Sequence, residues 1–373
     1  MHDLIRESAR ETNKLPYTPF MLDSRALGEP TEFQLDFLLD DVRHQYGFAF
    51  DAGHIQSEWL LAWPKKRPRV LIDRTGTPDS GSWFGDSVTG PNKAVARITR
   101  ANALLLSTSA LLDHPTMNSI HEAITSMFFF AGSKDIDIAM RYTVEGIFSQ
   151  PRLRDNVLRL MKEADLGISG LEVEEPSQPD EQSTRIMRTV MTEVNPEISE
   201  EELNEAMQAF RRPQPWFVHS GHDRSTVRMP LDSESVGTRN FLALSGPILA
   251  SLEHGGILVV DEIDTSLHPR LVSEIVRLFQ SSASNARQAQ VILSTHDVTL
   301  MMNAADYHVL DRDQIWFVEK DSGGASCVYP LSDFKPRQDE VYSRHYLQGR
   351  YGAVPAIDEG VFETVFGEVD DDA

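Results

Sequence analysis

Two short apolar runs, each followed at once by polar side chains, constrain the fold of this chain more than any other feature. Ile257–Val260 leads into Asp261 and Glu262, and Val291–Leu293 leads into Ser294-Thr295-His296-Asp297. Continuous β-branched runs of this kind are typical of strands buried on both faces. The residues between them have helical spacing, with apolar side chains at Leu271, Ile275, Leu278 and Phe279. The pattern predicts a strand–helix–strand unit whose parallel strands end at one edge of a sheet.

The adjacent acids predict a site for a divalent cation. A buried carboxylate is costly unless a cation or hydrogen bonds compensate for the lost hydration. Mg²⁺ prefers oxygen ligands of this type, so Asp261 is the predicted metal ligand. Glu262 is then the predicted general base that orients and deprotonates a water molecule. The alternative is an acid pair that caps the helix that follows.

His296 stands at the end of the second strand, where an imidazole can contact a phosphate or the attacking water. A lone histidine is more often structural, but the position of His296 after a strand–helix–strand unit favours a functional role. The polar loop Asp264–His268 connects the first strand to Pro269, which suits the first turn of a helix.

A second candidate segment is Glu234-Ser235-Val236-Gly237-Thr238, which precedes a long apolar helix. Ser235 is the predicted N-cap of that helix. A serine and a glycine at a helix N-terminus can form a small anion site from backbone N–H groups and the helix dipole. An ordinary capped helix is the alternative, and the position one helix before the acidic strand favours the anion site.

Composition excludes several classes of protein. The formal charge of −22, from 35 basic and 57 acidic residues, argues against a general nucleic-acid binder, because such binding depends on neutralising phosphates. No apolar run approaches the roughly 18 residues that span a bilayer, and the acidic N-terminus has no signal-peptide core. The single cysteine excludes an internal disulfide and a cysteine-built zinc site. We therefore expect no membrane association and a cytoplasmic location.

The patterning along the chain predicts an α/β fold. Residues 31–72 alternate with period two and predict an antiparallel β lobe. Residues 97–213 are mostly helical in pattern. From 214 to 330, strand-like and helical segments alternate, which predicts βα units and a mostly parallel sheet. Residues 361–373 form an acidic tail.

The order Ser-x-Gly-Thr, helix, hhhhDE, DTSLHP, helix, hhhSTHD resembles the ABC-type ATPase head. It is most similar to the AAA15/AAA21 group of bacterial ATPases, which are relatives of the SMC and overcoming-lysogenisation ATPases. The resemblance extends over nearly the whole chain and includes flanking strings such as Glu58-Trp59-Leu60. It implies a single ABC-type head over residues 1–360, with a P-loop NTPase-like core, an antiparallel β lobe (31–72) and a helical insertion (97–213).

The resemblance also implies roles for individual residues. Asp261 falls on the Walker B acid that binds Mg²⁺, Glu262 on the catalytic glutamate and His296 on the switch histidine. The remaining matches are Ser266 and His268 on the D-loop, and Ser235, Gly237 and Thr238 on the signature motif. In such heads the signature binds ATP held by a second subunit. The resemblance thus implies ATP and Mg²⁺ as cofactors, a homodimer with ATP between the heads, a nuclease-like partner protein and a setting in phage defence.

The chain departs from this family at the phosphate-binding loop. No G-x-x-x-x-G-K-[ST] string, whose backbone amides and lysine hold the phosphates, occurs in the 373 residues. Gly90-Pro91-Asn92-Lys93 and Gly132-Ser133-Lys134 are incomplete versions of it. Met1–Ile5 resembles the end of the helix that normally follows the loop. We therefore expect that the chain begins inside that helix, through an internal start codon, a shortened gene model or a real truncation.

Three functions remain open on these grounds. The first is an ATPase whose start codon lies upstream. The second is a non-hydrolysing regulatory or interaction protein built on a degenerate ATPase head. The third is a metal-dependent nuclease that uses the acids and histidines that follow the two strands, namely Asp261, Glu262, Asp264, His268 and His296. It leaves the Ser-x-Gly-Thr segment unexplained. For the 373 residues themselves we expect weak or absent ATPase activity.

Overall fold

The computed structural model describes residues 1–10, 14–75, 83–132, 134–175, 181–195, 198–199, 203, 213–222, 225–265, 267–304, 307–337 and 340–355. Ser266 and the acidic tail 361–373 lie outside these ranges, and the predictions made for them stay predictions. The helices are α1 (His2–Glu7), α2 (Asn92–Ile98), α3 (Leu105–Leu111), α4 (Pro115–Met127), α5 (Ile136–Ser149), α6 (Pro151–Glu163), α7 (Glu181–Val194), α8 (Val236–His254), α9 (Pro269–Gln280) and α10 (Tyr342–Leu347). Within the described ranges, none of these helices has the length and apolar character needed to cross a membrane.

The strands are β1 (Thr31–Leu39), β2 (Val42–Phe50), β3 (Ile55–Trp63), β4 (Arg69–Thr75), β5 (Phe128–Phe130), β6 (Ile168–Glu174), β7 (Gln214–Ser220), β8 (Thr226–Pro230), β9 (Ile257–Val260), β10 (Gln290–Leu293), β11 (Asn303–Ala304), β12 (Tyr307–His308), β13 (Trp316–Lys320) and β14 (Ser326–Pro330). The chain divides into two compact units. The first combines Met1–Ala123 with Val298–Ala373, and the second is Ile124–Asp297. Every predicted site residue therefore belongs to the second unit.

The first unit contains a four-stranded antiparallel meander in the order β1–β2–β3–β4. Its core is aromatic, because Tyr46, Phe48 and Phe50 of β2 are almost fully buried. The β1–β2 connection is a two-residue turn at Asp40 and Asp41, both with positive φ, as a type I′ hairpin turn requires. The period-two pattern thus predicted an antiparallel sheet, and the fourth strand ends at residue 75.

A buried carboxylate joins this meander to α3. Glu58, in β3, is 1% exposed and forms an ion pair with Arg74 of β4, whose Nη1 lies 3.4 Å from Glu58 Oε2. The same carboxylate accepts hydrogen bonds from the backbone N–H of Leu105 (2.6 Å) and of Leu106 (2.9 Å), and from the Tyr46 hydroxyl (2.9 Å). These amides belong to the first turn of α3, whose N–H groups have no partner within the helix. Glu58 therefore satisfies a helix N-terminus inside the core.

His114 is another buried polar group of the first unit. Its ring stacks on Phe84 at a centroid distance of 5.3 Å, and Nε2 lies 2.9 Å from Asn92 Oδ1. The backbone N–H groups of Thr116 and Met117 point at Nδ1, at 3.3 and 3.4 Å. Nδ1 therefore acts as an acceptor and Nε2 carries the proton. Burial disfavours the charged ring and lowers the pKa of His114 below its ordinary value.

We expect the lowered pKa of His114 to make the protein less stable in mild acid. The unfolded chain, with a histidine pKa of about 6.5, takes up a proton more readily than the folded one. The contribution of His114 to the free energy of unfolding is thus fully present above the pKa of the unfolded chain. It is lost as the pH falls through the lower pKa of the folded protein. Urea midpoints of the wild type and His114→Gln, measured from neutral pH downwards, check this. The variant should lose less stability on acidification, whereas His222→Gln, at an exposed histidine, should follow the wild type.

A separate small core of the first unit lies around the β13–β14 hairpin. Phe317 of β13 stacks on Tyr346 of α10 at 5.4 Å and on Tyr351 at 5.8 Å between ring centroids. Met301, Ile315, Leu331 and Tyr342 are buried in the same cluster. Phe317 and Tyr346 are therefore packing residues of this core.

The second unit contains a parallel three-stranded sheet in the order β10–β9–β5. β9 pairs with β10 from Ile257↔Gln290 to Val260↔Leu293, and with β5 from Ile257↔Phe128 to Val259↔Phe130. The β9–α9–β10 unit predicted from the two apolar runs is present. β5 lies within the segment predicted to be mostly helical, because a run of three phenylalanines is too short for its periodicity to reveal a strand.

A second sheet of this unit is antiparallel, in the order β6–β7–β8. Among the described strands of 214–330, β9 and β10 pair in parallel, whereas β7–β8, β11–β12 and β13–β14 pair antiparallel, so the prediction of a mostly parallel sheet over 214–330 is wrong. Only residues 221–225 separate β7 from β8, and a connection this short can form a hairpin but not a crossover. β6 pairs with β7 from the other side and adds another strand to the 97–213 segment. The fold is thus mixed α/β, with one parallel sheet and several antiparallel ones.

Helix α8 runs through a proline at Pro247, in its interior. Proline has no N–H, so the carbonyl of Ala243, four residues earlier, loses its helical partner. Thr143 of α5 replaces that partner, because its hydroxyl donates to Ala243 O at 2.8 Å and accepts the N–H of Gly246 at 3.2 Å. Gly246 permits this approach, since a Cβ there would lie 2.3 Å from Thr143 Oγ1.

Replacing Thr143 with valine is expected to lower the free energy of unfolding by about 1–3 kcal/mol. Valine keeps the shape but leaves the buried carbonyl of Ala243 without the hydroxyl that replaces the missing N–H of Pro247. Urea denaturation of the two proteins measures the difference. Thr143→Ser, which keeps the hydroxyl, should recover most of the loss, and equal destabilisation by both variants would contradict this role.

Candidate active site

The carboxyl end of β9 carries the predicted acid pair. Leu258 and Val260 are buried, and Asp261 and Glu262 follow them as exposed residues. The expectation of a buried acid pair is therefore wrong, since the strand ends at the edge of the sheet and the side chains that follow it reach solvent. Burial therefore demands no compensating cation at this position. The position at the carboxyl end of a parallel strand, where α/β sheets bind ligands, remains.

The end of β10 holds the acids through a serine. Ser294 Oγ donates to Asp261 Oδ1 at 2.5 Å and accepts the backbone N–H of Glu262 at 2.8 Å. The Ser294 carbonyl also accepts the N–H of Ile263 at 3.2 Å. Glu262 has a φ of +53°, in the left-handed region that non-glycine residues seldom adopt. The sheet edge therefore fixes both the side chain of Asp261 and the backbone of Glu262.

His296 lies in the same hydrogen-bonded assembly. Its backbone N–H donates to both carboxylate oxygens of Asp264, each at 3.3 Å, and its side chain is exposed. Asp264 lies two residues after Glu262, and His296 lies two residues after Ser294. Hydrogen bonds therefore connect the loop after β9 with the loop after β10 at two places, once through Ser294 and once through His296. The structure thus brings the predicted residues Asp261, Glu262 and His296 to one edge of the sheet.

β5 approaches the site from the other side of β9. The N–H of Ala131 donates to Val259 O at 2.9 Å, and a Cβ on Gly132 would lie 2.8 Å from Asp261 Cβ. Only glycine fits this approach of the two strand ends without displacement. In the sequence, Gly132 stands out solely as part of an incomplete phosphate loop, and Ser294 has no predicted role. The signals that could have identified them are a glycine two residues after β5 and a hydroxyl directly after β10, the two strands that flank β9.

The predicted D-loop residues are described in part. His268 is the N-cap of α9, with Nδ1 accepting the N–H of Arg270 at 3.2 Å, and Pro269 occupies the first helical position. This is a structural role for His268, and its predicted nucleotide contact stays a prediction. Ser266 lies outside the described residues.

The signature segment forms the N-terminus of α8. Ser235 is its N-cap and accepts the N–H of Thr238 at 3.1 Å, while the two hydroxyl oxygens lie 2.9 Å apart. Glu234 is held by His219 Nε2 at 2.7 Å, and Gly237 is half-buried in the first turn. This cap is expected both for an ordinary capped helix and for an anion site, so it does not distinguish the two interpretations. Among the described residues, no hydrogen bond connects Ser235 with Asp261, Glu262 or His296.

Residues 9–303 match the protein family described as "AAA domain, putative AbiEii toxin, Type IV TA system". The chain belongs to this family. The match covers β9, β10 and the whole second unit, and thus includes every predicted site residue. No curated protein is significantly similar to the chain. Membership of this AAA family supports an ATPase-like, nucleotide-binding function, which agrees with the resemblance seen in the sequence.

The donor atoms of this AAA domain suit a cation that is bound together with a nucleotide. Asp261 Oδ1 is occupied by Ser294, and among the described contacts Oδ2 has no hydrogen-bond partner. Mg²⁺ is usually bound by one or two carboxylates together with substrate phosphates, and a single free carboxylate oxygen fits that mode. In the described part of the chain, no three or more His, Cys, Asp or Glu side chains are grouped so that they could hold a metal.

Proposed function

We propose that this chain is the Walker B half of an ABC-type ATPase head that hydrolyses Mg-ATP. The observation that carries the proposal is the pairing of β9 with β10 up to Val260↔Leu293, which ends both strands at the same level. Asp261 and Glu262 follow one strand, and His296 follows the other. An acid, a candidate general base and an imidazole thus share one sheet edge, within a family of AAA domains.

Each residue has a distinct role in this proposal. Asp261 holds Mg²⁺ through the carboxylate oxygen that Ser294 leaves available. Glu262 accepts the proton of the attacking water, and His296 contacts the phosphate or the water from the neighbouring strand. When bound, Mg²⁺ neutralises charge on the phosphates and polarises them. Binding of the phosphates also needs backbone amides and a lysine. The 373 residues do not supply these groups as a G-x-x-x-x-G-K-[ST] string.

The capped N-terminus of α8 supports a second part of the proposal. Ser235, Gly237 and Thr238 bind the ATP of a second subunit, as the signature does in ABC-type heads, with Ser266 and His268 on the D-loop. Hydrolysis then requires a homodimer with ATP between the heads. A nuclease-like partner protein and a setting in phage defence follow from the same resemblance, and the description of the family as a toxin of a toxin–antitoxin system is compatible with that setting.

The competing proposal is a non-hydrolysing regulatory or interaction protein. It is favoured by the missing phosphate-loop string and predicts that the chain does not bind ATP measurably. Calorimetric titration with Mg-ATP and a phosphate-release assay separate the two proposals. They are applied to the 373-residue chain and to the form extended by in-frame codons upstream of Met1.

If an extension encodes the string, the extended protein should bind ATP and turn it over, and Asp261→Asn should abolish the Mg²⁺-dependent turnover. An extended protein without the string and without ATP binding supports the regulatory protein. Cleavage of nucleic acid with divalent metal and no ATP would instead support the nuclease.

A further inference from the structure

The loop after β9 is attached to the end of β10 by more contacts than the strand pairing needs. The ladder itself continues one step beyond the strands, because Ser294 N–H donates to Val260 O at 3.0 Å. Three further attachments follow: the Ser294 hydroxyl to Asp261 and Glu262, the Ser294 carbonyl to Ile263, and the Asp264 carboxylate to the N–H of His296. Ser294 takes part in two of these three.

The hydroxyl of Ser294 performs two functions that no other kind of group combines at this size. It donates its proton to Asp261 Oδ1 and accepts the N–H of Glu262 with a lone pair. The first contact fixes the rotamer of Asp261 and leaves Oδ2 for a cation. The second holds the backbone at Glu262, where φ is +53° and the left-handed conformation needs support from its surroundings.

We propose that Ser294 is a positioning residue for both members of the acid pair. It fixes the rotamer of the Asp261 carboxylate and holds the Glu262 backbone in the left-handed conformation. The two side chains therefore project from the sheet edge in fixed directions. The assignment to catalysis rests on the proposed ATPase function, while the positioning itself does not.

The test compares Ser294→Ala, which removes both hydrogen bonds, with Ser294→Thr, which retains the hydroxyl. Amide hydrogen exchange of the full chain, labelled at glutamate and followed by NMR without nucleotide, reports the Glu262 N–H directly. Loss of one hydrogen bond predicts about tenfold faster exchange at Glu262 in Ser294→Ala. Ser294→Thr should restore the wild-type rate. Ser273→Ala, at a hydroxyl of α9 that donates to Pro269 O, is the matched control and should leave Glu262 unchanged.

A Glu262 exchange rate in Ser294→Ala equal to that of the wild type would overturn the proposal. If that variant unfolds, Ser294→Cys replaces it, because a thiol keeps the size but makes only weak hydrogen bonds, and the same tenfold criterion applies. In the form of the protein that hydrolyses ATP, Ser294→Ala should lower kcat with little change in the KM for ATP, and Ser294→Thr should recover it. Accelerated exchange together with a wild type that never hydrolyses ATP would refute the ATPase and leave the positioning role intact.

Discussion

Replacing Glu262 with glutamine is expected to lower the rate of ATP turnover by a factor of about 10²–10⁴ while ATP binding is retained. Glutamine has the size of glutamate and the same backbone preferences, so the left-handed conformation at φ +53° and the hydrogen bond to Ser294 should persist. It cannot accept a proton from water, which removes the base. Phosphate release at saturating Mg-ATP, in the form of the protein that binds ATP, measures the effect.

Glu274→Gln provides the matched control for this experiment. Glu274 is an exposed acid of α9 that pairs with Arg277, one turn further along the same helix. Its neutralisation removes the same charge from the same unit without touching the sheet edge, so turnover should stay near that of the wild type. Undiminished turnover in Glu262→Gln would exclude Glu262 as the base. The alternative of an acid pair that caps the following helix is already excluded, because His268 is the N-cap of α9.

Replacing Glu58 with alanine is expected to lower the free energy of unfolding by about 3–5 kcal/mol. The substitution leaves the buried guanidinium of Arg74, which is 2% exposed, without its carboxylate. It also leaves the N–H groups of Leu105 and Leu106 and the Tyr46 hydroxyl without their acceptor. Chemical denaturation followed by circular dichroism and by tryptophan fluorescence measures the loss, because Trp83 stacks on Arg74.

Glu58→Gln and Glu32→Gln complete this comparison. The first keeps an acceptor for the hydroxyl of Tyr46 but removes the charge beside Arg74, so an intermediate loss is expected. Glu32 is an exposed acid of β1 in the same sheet, and its substitution should change stability by less than about 0.5 kcal/mol. If Glu58→Ala were as mild as Glu32→Gln, the Glu58 carboxylate would not be what secures α3 to the meander.

The candidate site could be predicted well where its signals are local. The apolar run before Asp261 and the one before Ser294 each indicate a strand, and the spacing of α9 between them indicates the crossover. The same reasoning predicted the exposure of Asp261 wrongly. A strand with buried side chains, such as Leu258 and Val260 of β9, still ends at the edge of its sheet. The sequence does not show which residue after the strand is the first to be exposed to solvent.

The errors in the fold have a different origin. Phe128–Phe130 and Ile168–Glu174 were placed in a helical segment, and β7 and β8 in a parallel sheet. Whether a short apolar run becomes a strand depends on a partner strand far away in the chain, such as β9 for β5. No window of a dozen residues contains that partner.

The β9–α9–β10 unit, the polar residues at its ends and the family to which they belong could all be predicted from the amino-acid sequence, because apolar periodicity and helix caps are local properties of the chain. Which groups those polar residues contact became known only from the folded protein. Asp261 meets the hydroxyl of Ser294, 33 residues later, and Glu58 meets the N–H of Leu105, 47 residues later. A polar side chain takes the partner that folding brings within about 3 Å, and this distance is set by the packing of the entire unit.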